Sequence, residues 1–120
     1  MFLCDMEEDG IYCLKPMNCP NAMTIFKQGI HSYRDLPLRL SDCDALHRHE
    51  KSGQLNGLLR VQKFSQDDAH IFVTEDQIGE EYKRILDIAK LFYSIFGIDF
   101  KIRLGTRPDD FMGDIETWNR

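Results

Sequence analysis

Between residues 46 and 72 the chain carries two strand-like runs separated by a stretch of turn residues, and no other feature constrains the fold as much. The first run ends on Arg48, His49 and Glu50. Lys51-Ser52-Gly53-Gln54-Leu55-Asn56-Gly57 follows, and its glycines and Asn-Gly pair mark a turn. The second run covers 58–64 and leads into Gln66-Asp67-Asp68-Ala69-His70. Two antiparallel strands with a polar loop at their tip bring Arg48, Glu50, Arg60 and Phe64 close together. That group offers a guanidinium for a phosphate, a carboxylate for an exocyclic amine and a ring for a base to stack on. It describes a nucleotide site made of side chains, without a glycine-rich phosphate cradle.

The other segments give further elements. Acidic residues Asp5, Glu7, Glu8 and Asp9 ending at Gly10 read as an entry segment and turn, and 11–14 as a short strand stopped by Pro16. Met23, Phe26, Ile30 and Tyr33 recur at helical spacing, which predicts a helix over 21–33 with Asn21 as its N-cap. Pro37 marks the exit. Residues 36–47 alternate as a strand, with Ser41-Asp42 read as a bulge, and 69–73 make a third strand. Thr74-Glu75-Asp76-Gln77 has the capping-box form and opens the longest helix, 75–96, which Gly97 ends. Ile78, Tyr82, Ile85, Ala89, Phe92 and Phe96 share one face of it, widened by Leu86 and Tyr93. That face is expected to pack on a sheet as core rather than to form a ligand box. A last strand is predicted over 98–104, a turn over 107–110 and a helical start over 114–120. Neighbouring strands with two substantial helices predict an α+β fold, an antiparallel sheet with flanking helices.

A chain of 120 residues is one domain or a piece of one. Its net charge of −5 gives no sign that the whole surface binds nucleic acid. Cys4, Cys13, Cys19 and Cys43 show no CxxC and no dense framework, and free thiols in a reducing cytosol are expected for Cys4, Cys13 and Cys43. No apolar run is long enough to span a bilayer and no signal sequence is visible, which predicts a cytoplasmic protein without a membrane partner.

Lys15-Pro16-Met17-Asn18-Cys19-Pro20, Tyr33-Arg34-Asp35-Leu36-Pro37-Leu38-Arg39 and the 46–72 stretch occur in that order. The last looks like motif 2 of a class II aminoacyl-tRNA synthetase, and together the three closely resemble the threonyl-tRNA synthetases over almost the whole chain. KPMNCP followed by QDDAHIF is a specific signal. The resemblance implies a partial class II catalytic domain, residues 1–120, whose intact form joins threonine to ATP as threonyl-adenylate and then charges tRNA(Thr). By analogy, Arg48 contacts the ATP α-phosphate and the threonine carboxylate and is the catalytic residue. Glu50 reads the adenine amino group, Phe64 stacks on the ring and Arg60 assists with the phosphates, with Mg²⁺ accompanying ATP. Met17, Gln66 and Asp68 bind threonine, and even strand spacing puts Gln66, Asp68 and His70 on one face. Asp67 then points away as a structural residue.

Spacing alone makes Cys19 and His70 more often structural than ligating. The resemblance implies that they hold a zinc ion, with a third, histidine ligand beyond this chain and an open position for substrate. His31, His47 and His49 are read as surface or loop residues. An apolar pocket separates valine from threonine by only about 10², whereas a site built to engage the hydroxyl does so by about 10⁴–10⁵. Motif 1, which forms the homodimer interface, motif 3, and the editing and anticodon-binding domains are not found. The 120 residues alone are therefore expected to be inactive. Asn21-Ala22 stands where many relatives have Gly-His, and Gln62-Lys63 where they have Arg-Gly. A synthetase-like binding module without catalysis is the alternative, and a small structural zinc domain is disfavoured because only two ligands are identified.

Overall fold

The computed structural model describes residues 1–6 and 10–119, so Glu7, Glu8 and Asp9 of the acidic turn and Arg120 of the last helix lie outside the described residues. Two compact units divide the chain, Met1–Gly79 and Glu80–Arg120.

In the first unit the strands pair as three separate two-stranded antiparallel ladders. β1 (Leu3–Met6) pairs with β2 (Gly10–Cys13), so the entry segment expected to be irregular is itself a strand. β3 (Leu38–Asp42) pairs with β6 (Asp68–Phe72), setting Leu40 opposite His70 and Asp42 opposite Asp68. β4 (Ala45–His47) pairs with β5 (Lys63–Ser65), setting Leu46 opposite Phe64. The single strand expected over 36–47 is thus two strands in two ladders. The break falls after the expected bulge, where the Asp44 N–H donates to the Asp42 carboxylate at 2.9 Å. A side chain that satisfies the backbone locally in this way competes with the ladder.

The second run of the central hairpin also forms later than expected. Residues 58–62 do not form a strand, because Asn56-Gly57 closes a tighter loop. Gly57 has φ +49°, and Leu59 and Arg60 N–H both donate to the Asn56 carbonyl. Leu58 and Leu59 at this tip are 95% and 91% exposed, so no apolar face pulls them into a sheet. The ladder regains its register at Lys63. Lys63 has no positive φ, so replacing the relatives' glycine here strains nothing.

α1 runs Cys19–Gln28 with Asn18, not Asn21, as N-cap, and Pro20 sits in its first turn, where a missing N–H costs nothing. It stops at Gly29, in extended conformation, which leaves Ile30 and Tyr33 off the helix and exposed. Phe26 of α1 stacks on Phe72 of β6 with centroids 4.0 Å apart and coplanar rings, laying α1 over the β3–β6 ladder. Ala22 and Leu46 are the fully buried apolar side chains among the described residues. Ala22 is one of the departures from the commoner pattern, and its methyl fills the core.

The capping box forms as expected at Thr74, with the Gln77 amide oxygen accepting the Thr74 N–H at 3.1 Å. α2 follows as Ile78–Ile95. Gly97, φ +62°, closes it: its own N–H reaches the Ser94 carbonyl and the Ile98 N–H reaches that of Tyr93, the Schellman arrangement. The expected burial of the α2 face is not observed. Ile78, Tyr82, Ile85, Phe92 and Phe96 are between 49% and 70% exposed. Residues 98–104 form no strand either, since no partner strand pairs with them among the described residues. In the second unit Tyr93 stacks on Phe100, and Phe111 lies between Arg107 and Trp118. α3 (Ile115–Asn119) ends the described chain.

Candidate functional site

Beside the β4–β5 ladder and its loop lies an open cleft of about 530 Å³ lined by Arg48, Glu50, Leu58, Leu59, Arg60, Val61, Phe64, Ser65 and Gln66. All four residues expected at the hairpin meet there. The Arg60 Nη2 donates to Glu50 Oε2 at 3.0 Å. The Arg48 guanidinium carbon sits 5.1 Å from the centre of the Phe64 ring, a cation–π contact. Backbone bonds fix the frame: the Arg48 N–H donates to the Gln62 carbonyl at 2.8 Å, extending the β4–β5 ladder by one step.

The Lys15–Pro20 segment is tied to the same place. The His47 N–H donates to the Lys15 carbonyl at 3.0 Å, and Arg48 Nε donates to the Pro16 carbonyl at 3.2 Å. Lys15 Nζ reaches Asp44 at 3.0 Å and Asp42 at 3.3 Å. The Asp44 and Asp42 carboxylates hold the Lys15 ammonium above the ordinary lysine value. The Asp44 N–H, with Lys15 beside it, holds the Asp42 carboxyl below the ordinary aspartate value. Asn18, 1% exposed, donates through Nδ2 to Asp68 Oδ2 at 3.2 Å, across fifty residues of sequence. Neither Lys15 nor Asn18 was singled out from sequence, though both lie inside the KPMNCP run that carried the signal.

Met17 lies half-exposed between two such anchor points, Pro16 and Asn18. Asp68 and His70 alternate along β6 and so share a face with Phe72. Gln66 precedes that strand and lines the large cavity instead. Asp67 is exposed and accepts from the Cys43 thiol at 3.6 Å. This carboxylate pushes the Cys43 pKa up, which makes the thiol less reactive. His31 packs on Phe26 at the end of α1, and His49 packs edge-on against Phe2.

Cys19 opens α1, and His70 borders a second cavity of about 240 Å³ with Asn21, Ala22, Ile25, Leu40, Ser41, Asp42 and Asp44. Thiolate and imidazole are donor types that suit zinc. Among the described residues no group of three or more His, Cys, Asp or Glu side chains could hold a metal ion. The donors fit zinc in kind, and among the described residues they do not make up a full ligand set.

A guanidinium, a carboxylate and an aromatic ring thus surround one cavity on a short antiparallel ladder, with the Asn18–Asp68 pair in the same unit. The family model for the tRNA synthetase class II core domain (G, H, P, S and T) matches residues 2–117, and the chain belongs to that family. Threonine–tRNA ligases are among its curated relatives. It is 52% identical over 111 residues to the enzyme of Clostridium kluyveri and 51% identical over 111 to that of Clostridium botulinum strain Okra. Each match covers 92% of this chain and 17% or 18% of the relative, so the chain spans less than a fifth of their length. The crystal structure of the RNA binding domain of threonyl-tRNA synthetase from Cryptosporidium parvum Iowa II superposes with a TM-score of 0.88 at 49% identity. That match covers 99% of this chain and 30% of the other. No helix among the described residues is long and apolar enough to cross a membrane.

Proposed function

We propose that the intact protein containing this chain is a cytoplasmic, homodimeric threonine–tRNA ligase, and that residues 1–120 are part of its catalytic domain. The observation that carries this reading is the convergence of Arg48, Glu50, Arg60 and Phe64 on one cavity, in a chain whose relatives are named threonine–tRNA ligases. ATP enters that cavity with Mg²⁺. Phe64 offers its face to the adenine, Glu50 accepts from the exocyclic amine and Arg60 meets the phosphates. Arg60 and Glu50 already pair with each other, so nucleotide binding exchanges that ion pair for contacts to the ligand.

Arg48 spans the reacting groups. The threonine carboxylate attacks the α-phosphorus, the bond to pyrophosphate breaks, and charge accumulates on phosphoryl oxygens that a fixed guanidinium stabilises. Positioning and electrostatics do most of the work in such a transfer, so no general base is needed. Pro16 and the Phe64 ring hold that guanidinium in place. Met17, Gln66 and Asp68 receive threonine. Cys19 and His70 are the two residues of this chain that would hold zinc, completed by a ligand beyond it. When bound, the ion supplies coordination for the amine and hydroxyl and so favours threonine over valine. Contact with tRNA(Thr) is supported by the RNA binding domain to which the chain is similar. With a net charge of −5, that contact is local rather than spread over the surface.

Threonine-dependent ATP–pyrophosphate exchange by the intact protein tests this. Exchange with threonine and not valine is expected, with Arg48→Ala reducing it about 10²-fold or more and Cys19→Ala abolishing the preference for threonine. A protein that binds zinc yet shows no exchange would instead be a synthetase-like binding module.

A further inference from the structure

Asn18 is spent in an unusual way. As the N-cap of α1 it could satisfy the first turn of its own helix, the use for which asparagine is favoured at that position. Its side chain makes no capping bond. The amide instead reaches Asp68 at 3.2 Å, and its Oδ1 is buried without a hydrogen-bond partner among the described residues. A buried polar atom left unpaired is costly and rare in folded proteins. Asn18 thus forgoes the cap and tolerates an orphaned oxygen while keeping a single contact to one carboxylate.

We propose that Asn18 is a positioning residue for the amino-acid site: its amide fixes the Asp68 carboxylate to accept from threonine's amine. This rests on the ligase reading above. Two features of the contact carry it. Turning the amide over would set oxygen against carboxylate oxygen, so Asp68 itself dictates the orientation, with Nδ2 toward Asp68 and Oδ1 left over. The donor is also neutral. A lysine or arginine in that place would orient Asp68 equally well but cancel its charge, and a carboxylate accepts more strongly from a substrate N–H while it keeps that charge. The nearest strong cation in the segment, Lys15, is occupied by Asp42 and Asp44. Asn18 also precedes Cys19 directly, so the same contact ties the start of α1 to the strand carrying His70.

The test is steady-state ATP–pyrophosphate exchange by the intact protein, with threonine and ATP varied separately. Asn18→Ala should raise the threonine KM about 10- to 100-fold, the worth of a hydrogen bond to a charged group. The ATP KM and the zinc content should stay unchanged. Should that variant fail to fold, Asn18→Asp, matched in size and placing a second carboxylate against Asp68, carries the same expectation. A threonine KM within twofold of the unsubstituted protein in a folded variant overturns the proposal. So do parallel rises in both KM values, or unfolding of both variants, either of which assigns the contact to stability. Absence of exchange in the unsubstituted protein overturns the ligase reading itself and removes the threonine site with it. Normal exchange with unaltered variants overturns the positioning role alone.

Discussion

Arg48 is held from two sides, by the Pro16 carbonyl at 3.2 Å and by the Phe64 ring. Such support matters because an arginine that must meet an α-phosphate gains from being already in place. Glu50 and Arg60 show the opposite economy. Their bond is 3.0 Å long, with the Glu50 side chain 15% exposed but Arg60 53% exposed, so water reaches the pair from the arginine side and its contribution is on the order of 1 kcal/mol. The pair is therefore cheap to open for a nucleotide. Glu50→Gln is expected to leave the unfolding free energy of the intact protein within about 1 kcal/mol of the original. Its ATP KM should rise about tenfold or more. A melt and an exchange assay on the same preparation check this, and a large loss of stability would make Glu50 structural.

Among the elements, the connection from Lys15 to the β3–β4 corner does the most to shape the site. It brings KPMNCP against the hairpin, and its charges make it sensitive to pH. Asp42 is held below its ordinary pKa, so its contribution is complete above the ordinary aspartate value and is lost as pH falls through the folded value. Lys15 is held above its ordinary pKa, so its contribution is complete below that ordinary value and is lost only as pH rises through the folded one. The clasp is therefore intact across neutral pH and weakens first in acid. Lys15→Met should lower the urea midpoint of the intact protein at pH 7, with the difference from the original closing as pH drops below the aspartate range. A difference constant with pH would assign Lys15's role to packing. The helices show how reliable local chemistry can be. Gly97 and the Thr74/Gln77 box end and begin helical structure where the residue types demand it. The end of α1 is set by Gly29 instead, although Ile30 and Tyr33 continue the helical spacing beyond it.

For the molecule as a whole, apolar exposure dominates. Along α2, Ile85, Ile88, Leu91, Phe92, Ile95 and Phe96 are each close to half exposed or more. Full burial of one large apolar side chain contributes roughly 1.5–3 kcal/mol, while ordering each residue costs about 1–2 kcal/mol of backbone entropy. With Leu46 and Ala22 the buried apolar side chains among the described residues, the isolated 120 residues have little to set against that cost. They are expected to melt broadly, to bind a hydrophobic dye in buffer and to produce no threonyl-tRNA. A sharp melt without dye binding, or measurable threonylation, would contradict this.

The sequence by itself determined whatever is local or chemically specific. The Asn-Gly turn, the helix signals at Thr74 and Gly97 and the family likeness all follow from residue types at fixed spacing. So does the grouping of Arg48, Glu50, Arg60 and Phe64, because a hairpin joins residues that are near in the chain. Only the tertiary structure decided how the strands divide into three ladders, and that the α2 face lies open although its periodicity marks it as core. It also brought Asn18 to Asp68 and Lys15 to Asp42 and Asp44. Each of these depends on contacts between residues far apart in sequence, and periodicity says which face is apolar without saying what meets it.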